Sequence, residues 1–168
     1  MKDLWFKVFI FLFIFTGVFA QPPYKTGSPS RVVNQLYSIY KNYDFRKALT
    51  FTTGKEKQKV EKILGIMNRN NGKAPQEIIT FSKTLQELKI VGEQINNQYA
   101  RVDTLWILKH HDKKNPQEFL IKVQEIAFLL EKEQDLWKIR SSRFITEHIL
   151  YDRNKIDEIY KKAQKYDS

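Results

Sequence analysis

The sequence has no cysteine, two methionines, three histidines, five prolines and six glycines in 168 residues. Without cysteine there is no disulfide, no thiol nucleophile, no thiolate metal ligand and no point of lipid attachment, so stability rests on the core alone. The glycines at positions 17, 27, 54, 65, 72 and 92 are scattered, which excludes a glycine-rich loop for cradling phosphate. No G-x-S-x-G sequence and no metal-spaced His/Glu motif occurs, nor does any internal repeat or low-complexity tract. These absences remove the commonest signatures of hydrolases, nucleotide enzymes and zinc proteins.

Hydrophobic residues make up 42% and aromatic residues 14%, enough to build one ordinary domain. The formal charge is +10. A surplus of that size favours anionic partners, but lysines on a helix most often form a solvated face, and the N-terminus argues for a compartment without nucleic acid. Lys2 and Lys7 flank the start of an apolar run, Val8-Phe9-Ile10-Phe11-Leu12-Phe13-Ile14-Phe15, and Thr16-Gly17-Val18-Phe19-Ala20 ends in compact residues. A basic start, a short apolar centre and an A-x-A-like end spell a secretory signal peptide over 1–20, with cleavage after Ala20. The run is short against the about 20 residues of a membrane span, so membrane contact is expected only if the segment stays uncleaved. The mature chain is expected to be exported, periplasmic or extracellular, with 21–27 a linker by its Pro and Gly content.

Residues 117–142 organise the rest. They spell two long strands joined by a polar turn at Glu131-Lys132-Glu133-Gln134-Asp135. Phe119, Ile121 and Val123 alternate with polar neighbours, and the bulky set then shifts phase to Ile126, Phe128 and Leu130. One extra residue in a strand produces such a slip, so a β-bulge is predicted near 123–126. Upstream, helical spacing predicts helices starting at Ser28-Pro29, with Val32, Val33, Leu36, Ile39 and Tyr40 inward; at Asp44; at 55–69; and from Pro75 through Leu88. A strand follows at about 89–95, then a long one at 99–110. There Ala100, Val102, Thr104, Trp106 and Leu108 share one face and Tyr99, Arg101 and Asp103 the other. His110-His111-Asp112 with the residues up to Pro116 forms a polar hairpin loop, and 143–168 a helical tail. Helices first and strands afterwards is an α+β order.

Three stretches resemble the nuclear transport factor 2-like superfamily, cone-shaped α+β folds. They are SPSRVVNQLYSIYKNYDFRKALTFTT (28–53), the strand YARVDTLWIL (99–108) and the hairpin FLLEKEQDLWKI (128–139). The resemblance covers 28–142, is most like small secreted or lipid-anchored bacterial members of unassigned function, and departs from many of them in lacking a lipid-attachment cysteine. It implies N-terminal helices packed on a curved antiparallel sheet of about four strands, enclosing a pocket that is often apolar. A further helix is expected beyond it. The superfamily includes enzymes, binding modules and dimerisation modules, so fold alone does not give activity.

The candidate ligand-binding residues are Tyr99, Arg101 and Asp103 on one strand face, and Trp106, Phe119 and Phe128 as aromatic pocket lining. The bland counterparts are a surface ion pair for Arg101 with Asp103 and plain core for the aromatics, and a solvated loop for the histidines. His148 shows no partner in the sequence. No catalytic set, metal site or cofactor is expected. The function expected is an exported, non-enzymatic binding or interaction module of the bacterial envelope. Its partner would be a small apolar ligand or an envelope protein, with a homodimer through the sheet face as a further mode. The alternative is a cofactor-free isomerase, dehydratase or hydrolase using Asp103 with Tyr99 or Arg101.

Overall fold

A computed structural model describes residues 27–112, 115 and 118–164. The predicted signal peptide, all but the last residue of the linker, and part of the histidine loop lie outside the described residues. Helix α1 (Pro29–Asn42) starts where its proline has no N–H to lose, and Val32, Val33, Leu36 and Ile39 bury one stripe. Ser28 caps it through its backbone carbonyl, not through its hydroxyl. Tyr43, at φ 59°, turns the chain into the short helix α2 (Phe45–Ala48). Helix α3 (Gly54–Arg69) and helix α4 (Gln76–Thr84) follow.

Strands β1 (Leu85–Asn96), β2 (Tyr99–His111), β3 (Phe119–Glu133) and β4 (Leu136–Leu150) form one antiparallel sheet in sequential order. Gln134 and Asp135, at φ 49° and 63°, both take the left-handed conformation, the two-residue turn whose twist matches that of its strands. The helix predicted through Leu88 ends at Thr84, because Leu85 already pairs with Leu108 of β2. The helical tail predicted from Arg143 is corrected likewise: β4 runs on to Leu150, and only helix α5 (Lys155–Gln164) is helical. The fold is thus α+β, a four-stranded antiparallel sheet with helices and a C-terminal helix. No helix among the described residues is long and apolar enough to cross a membrane.

The link between α2 and α3 is pinned to the edge of the sheet. The Thr53 N–H donates to the Ile139 carbonyl and the Ile139 N–H to the Phe51 carbonyl, each at 2.8 Å. Gly54, at φ +50°, lies so close to β4 that an added Cβ would stand 3.2 Å from the Arg140 carbonyl oxygen. A side chain there is opposed both by the backbone conformation and by the strand. This junction sets the first turn of α3 over β4.

The expected bulge in β3 is not there. From Phe119 to Glu131, β3 pairs with β2 without a break, and the extra residues, Arg140 and Ile145, sit in β4. The phase slip in the sequence has another cause. Val123 faces one side of the sheet, where α5 covers it; Phe128 and Leu130 face the other, where α1–α4 cover them. A strand covered on both faces, at different points along its length, shows apolar residues that change parity without any insertion.

The larger core joins α1–α4 to Val102, Trp106, Leu108, Phe128, Leu130 and Ile139. The smaller one joins Ile156 of α5, flanked by Ile159 and Tyr160, to Leu105, Ile107 and Val123. Tyr160 also donates its hydroxyl to the Ile90 carbonyl at 3.1 Å, and Lys89 pairs with Asp157 at 3.0 Å. Replacing Ile156 by Ala should lower the unfolding free energy by about 2–3 kcal/mol in urea titrations. Ile149→Ala, at a site 55% exposed, should change it by less than about 0.5 kcal/mol. Equal effects of the two would mean that α5 does not dock.

Candidate pocket between the helices and the sheet

Trp106 is the centre of the helix-covered face. Its ring lies 5.9 Å from Tyr37 and from Tyr40, both edge-on, 5.8 Å from Phe81 and 6.1 Å from Phe128, which stacks on it. These rings reach it from α1, α4 and β3, so one indole ties three elements to β2. The indole is 2% exposed, and its N–H finds no acceptor among the described residues. An orphaned buried donor is costly and needs a physical account.

Beside it lies a cavity of about 250 Å³, lined by Leu36, Tyr40, Ile78, Phe81, Trp106, Gln124, Ile126, Phe128 and Ser142, and by Glu56. Glu56 is only 2% exposed. A carboxylate in an otherwise apolar wall loses hydration and has to recover it from donors. Lys59 Nζ, at 2.9 Å, and Ser142 Oγ, at 3.0 Å, both donate to Oε2. Oε1 receives neither. Burial, helped by the negative charge of Glu56, pushes the Tyr40 phenol up to about 12, so this hydroxyl stays protonated far beyond the neutral range.

The cavity continues past Phe81 and Gln124 into a shallower cleft reaching Leu108 and His110. Its wall is a small polar network in which Lys122 Nζ and Gln124 Nε2 donate to the two oxygens of Glu147, at 2.9 and 2.8 Å. Those bonds, first from Gln124 and then from Lys122, hold the Glu147 carboxyl below its usual range. His110 is half-buried in this cleft, and its Nε2 has no partner among the described residues. Desolvation, reinforced by the Lys122 charge and partly offset by Glu147, lowers its pKa.

The six residues proposed from sequence do not share a site, and strand parity is the reason. Trp106 and Phe128 line the cavity, but Tyr99, Arg101, Asp103 and Phe119 point to the opposite face of the sheet. Tyr99 is exposed. Arg101 Nη2 contacts Asp103 Oδ1 at 2.8 Å, in a hollow that Glu125, Ile145 and Ala163 also line, with Asp103 Oδ2 buried and without a partner among the described residues. Phe119 is exposed near the hairpin end, between His111, 4.4 Å away, and Lys109 Nζ, 3.8 Å from its ring centre. Of the two histidines expected in a solvated loop, His110 belongs to the cleft; His148, for which the sequence offers no partner, lies 2.8 Å from Glu125 Oε1.

Sequence reading missed Glu56, Tyr40 as lining, Gln124 and Ser142. A signal for Glu56 was present: it lies four residues before Val60, on the stripe that continues through Ile63, Leu64 and Met67, and is the one acid on that apolar face. Among the described residues no group of His, Cys, Asp and Glu is placed to hold a metal ion.

Fold and site together define a small α+β domain with a half-open, mostly apolar pocket beside one buried carboxylate. No protein-family model matches the chain, and no curated protein matches it. Among solved structures it is similar to a SEC-C motif containing protein from Rhodopseudomonas palustris, with 13% identity, a TM-score of 0.47 and coverage of 71% of this chain and 80% of that one. The resemblance to the nuclear transport factor 2-like superfamily is corrected by this result, since the match is to a SEC-C motif containing protein. The segments that suggested it are accounted for by helix starts, strand alternation and a tight hairpin, which many α+β chains share.

The lowered pKa of His110 has a definite consequence. Above its ordinary value of 6.5 the ring is neutral in both folded and unfolded chains, and it contributes nothing to pH dependence. As pH falls below that value the unfolded chain takes the proton first, so stability declines until the folded ring is protonated too. Glu147, with its lowered pKa, adds a second decline below its ordinary value of 4.5. Urea titrations from pH 7.5 to 5 should show the first decline, and His110→Gln should flatten it; an unchanged slope would refute the assignment.

Proposed function

We propose that this chain is a non-enzymatic binding module whose half-open pocket, between the helices and the sheet, holds a small and largely apolar molecule. The observation that carries this reading is the cavity of about 250 Å³ beside Trp106, whose indole N–H lacks an acceptor, with Glu56 as its one buried charge. Apolar walls with a few convergent polar groups are what small-ligand sites need: burial supplies affinity and the polar atoms fix orientation. The volume is slightly below the about 300 Å³ of typical ligand pockets, which points to a metabolite-sized guest.

Export belongs to the same reading and rests on the signal-peptide features of residues 1–20, which would place the mature domain in the cell envelope or outside it. A homodimer through the sheet face would have to use the half that α5 leaves open, where Tyr99 and Leu129 stand exposed. An enzyme built on Asp103 would work in the hollow under α5, on the other side of the sheet from the pocket.

Native mass spectrometry on the chain isolated from its own host should show a copurified species of small mass, released by mild denaturation. Ile78→Trp, which fills the pocket lip, should remove that species and keep the melting temperature within a few degrees. A wild-type chain that is empty and whose melting is unmoved by a library of apolar metabolites would refute the binding reading.

A further inference from the structure

We infer that the pocket selects an organic cation, a small ammonium ion attached to an apolar body; this rests on the binding reading above. Three observations converge on it. The first is the position of Glu56. A carboxylate 2% exposed on the inward face of α3 is an expensive group to keep, and its two donors both occupy Oε2, leaving Oε1 for another cation.

The second is the chemistry of the walls. Tyr40, Phe81, Trp106 and Phe128 are among the lining residues, and aromatic rings favour a desolvated ammonium at their faces over an anion. An anionic guest would meet those faces and the Glu56 carboxylate together. A neutral guest would satisfy the walls and leave Oε1 bare. The unpartnered Trp106 N–H offers a further place for one acceptor oxygen on the guest.

The third is Lys59. Its side chain is half exposed and reaches the carboxylate from three residues along the same helix. A half-exposed ammonium, which also donates to Ser142 Oγ at 2.8 Å, keeps part of its hydration, so its pair with the carboxylate is weaker than one between two buried groups. Lys59 therefore acts as an exchangeable counter-ion on Oε2, keeping Glu56 neutralised in the empty pocket and giving way when an incoming ammonium takes Oε1.

The test uses three probes with one aromatic body and different heads: phenethylamine, 2-phenylethanol and phenylacetate, titrated calorimetrically into the full chain at pH 7. Phenethylamine should bind about tenfold more tightly than 2-phenylethanol, the scale of one charge-assisted hydrogen bond, and phenylacetate should not bind. Glu56→Gln should bring the amine down to the level of the alcohol and leave the alcohol unchanged. Lys59→Ala should tighten the amine by a few-fold, which decides the matter even where Glu56→Gln fails to fold. Equal binding of amine and alcohol, indifferent to both substitutions, would overturn the cation inference and leave the pocket reading intact; so would phenylacetate binding best. Failure of all three probes to bind would overturn the pocket reading and this inference with it.

Discussion

The constraint on which the structure depends is that the middle of β2 is buried on both sides. Five consecutive residues, Thr104 to Leu108, and Val102 on the other side of Asp103 have at most a few per cent of their surface exposed. A strand in that condition must be covered twice. Helices α1–α4 cover the side of Trp106, and α5 returns after β4 to cover the side of Leu105 and Ile107. Without α5 the second set would face water, and burying apolar surface is the main term that holds such a chain together.

The pocket follows from how the first covering layer is fastened. The helices reach across the sheet from two anchors, Trp106 with its ring of aromatic neighbours and the Thr53–Ile139 junction at the edge strand. Between these anchors the layer leaves a space that neither the helices nor the sheet fill. Glu56 enters it because the junction at Gly54 sets the first turn of α3 there. Ser142 meets it because β4 passes beneath, and so a carboxylate eighty-six positions away in sequence finds its donor.

Much of the architecture was legible in the chain. The place of the hairpin turn, expected over 131–135 and found as Gln134-Asp135 alone, the alternation of 99–108 and the stripe of Val32, Val33, Leu36 and Ile39 are local patterns, and local patterns survive translation into structure. The errors were also physical. The β3 phase slip mimics an inserted residue wherever burial is one-sided, and 143–150 shows no strand pattern because an edge strand with mixed polarity carries little period-two signal. Of the site, the sequence named Trp106 and Phe128 and grouped them with residues of the opposite face, since periodicity gives parity but not which parity meets the helices.

What the sequence determined by itself was the inventory and the order: no thiol chemistry, one domain's worth of apolar residues, helices before strands, and the turns between them. These depend on short-range sterics and spacing, which each segment carries with it. What only the tertiary structure decided was coverage: that α5 docks on the second face, that Tyr99, Arg101 and Asp103 stand apart from Trp106, and that Glu56 is buried against Ser142. Burial of a charge depends on which distant elements close over it, and that is settled by packing among segments far apart in the chain.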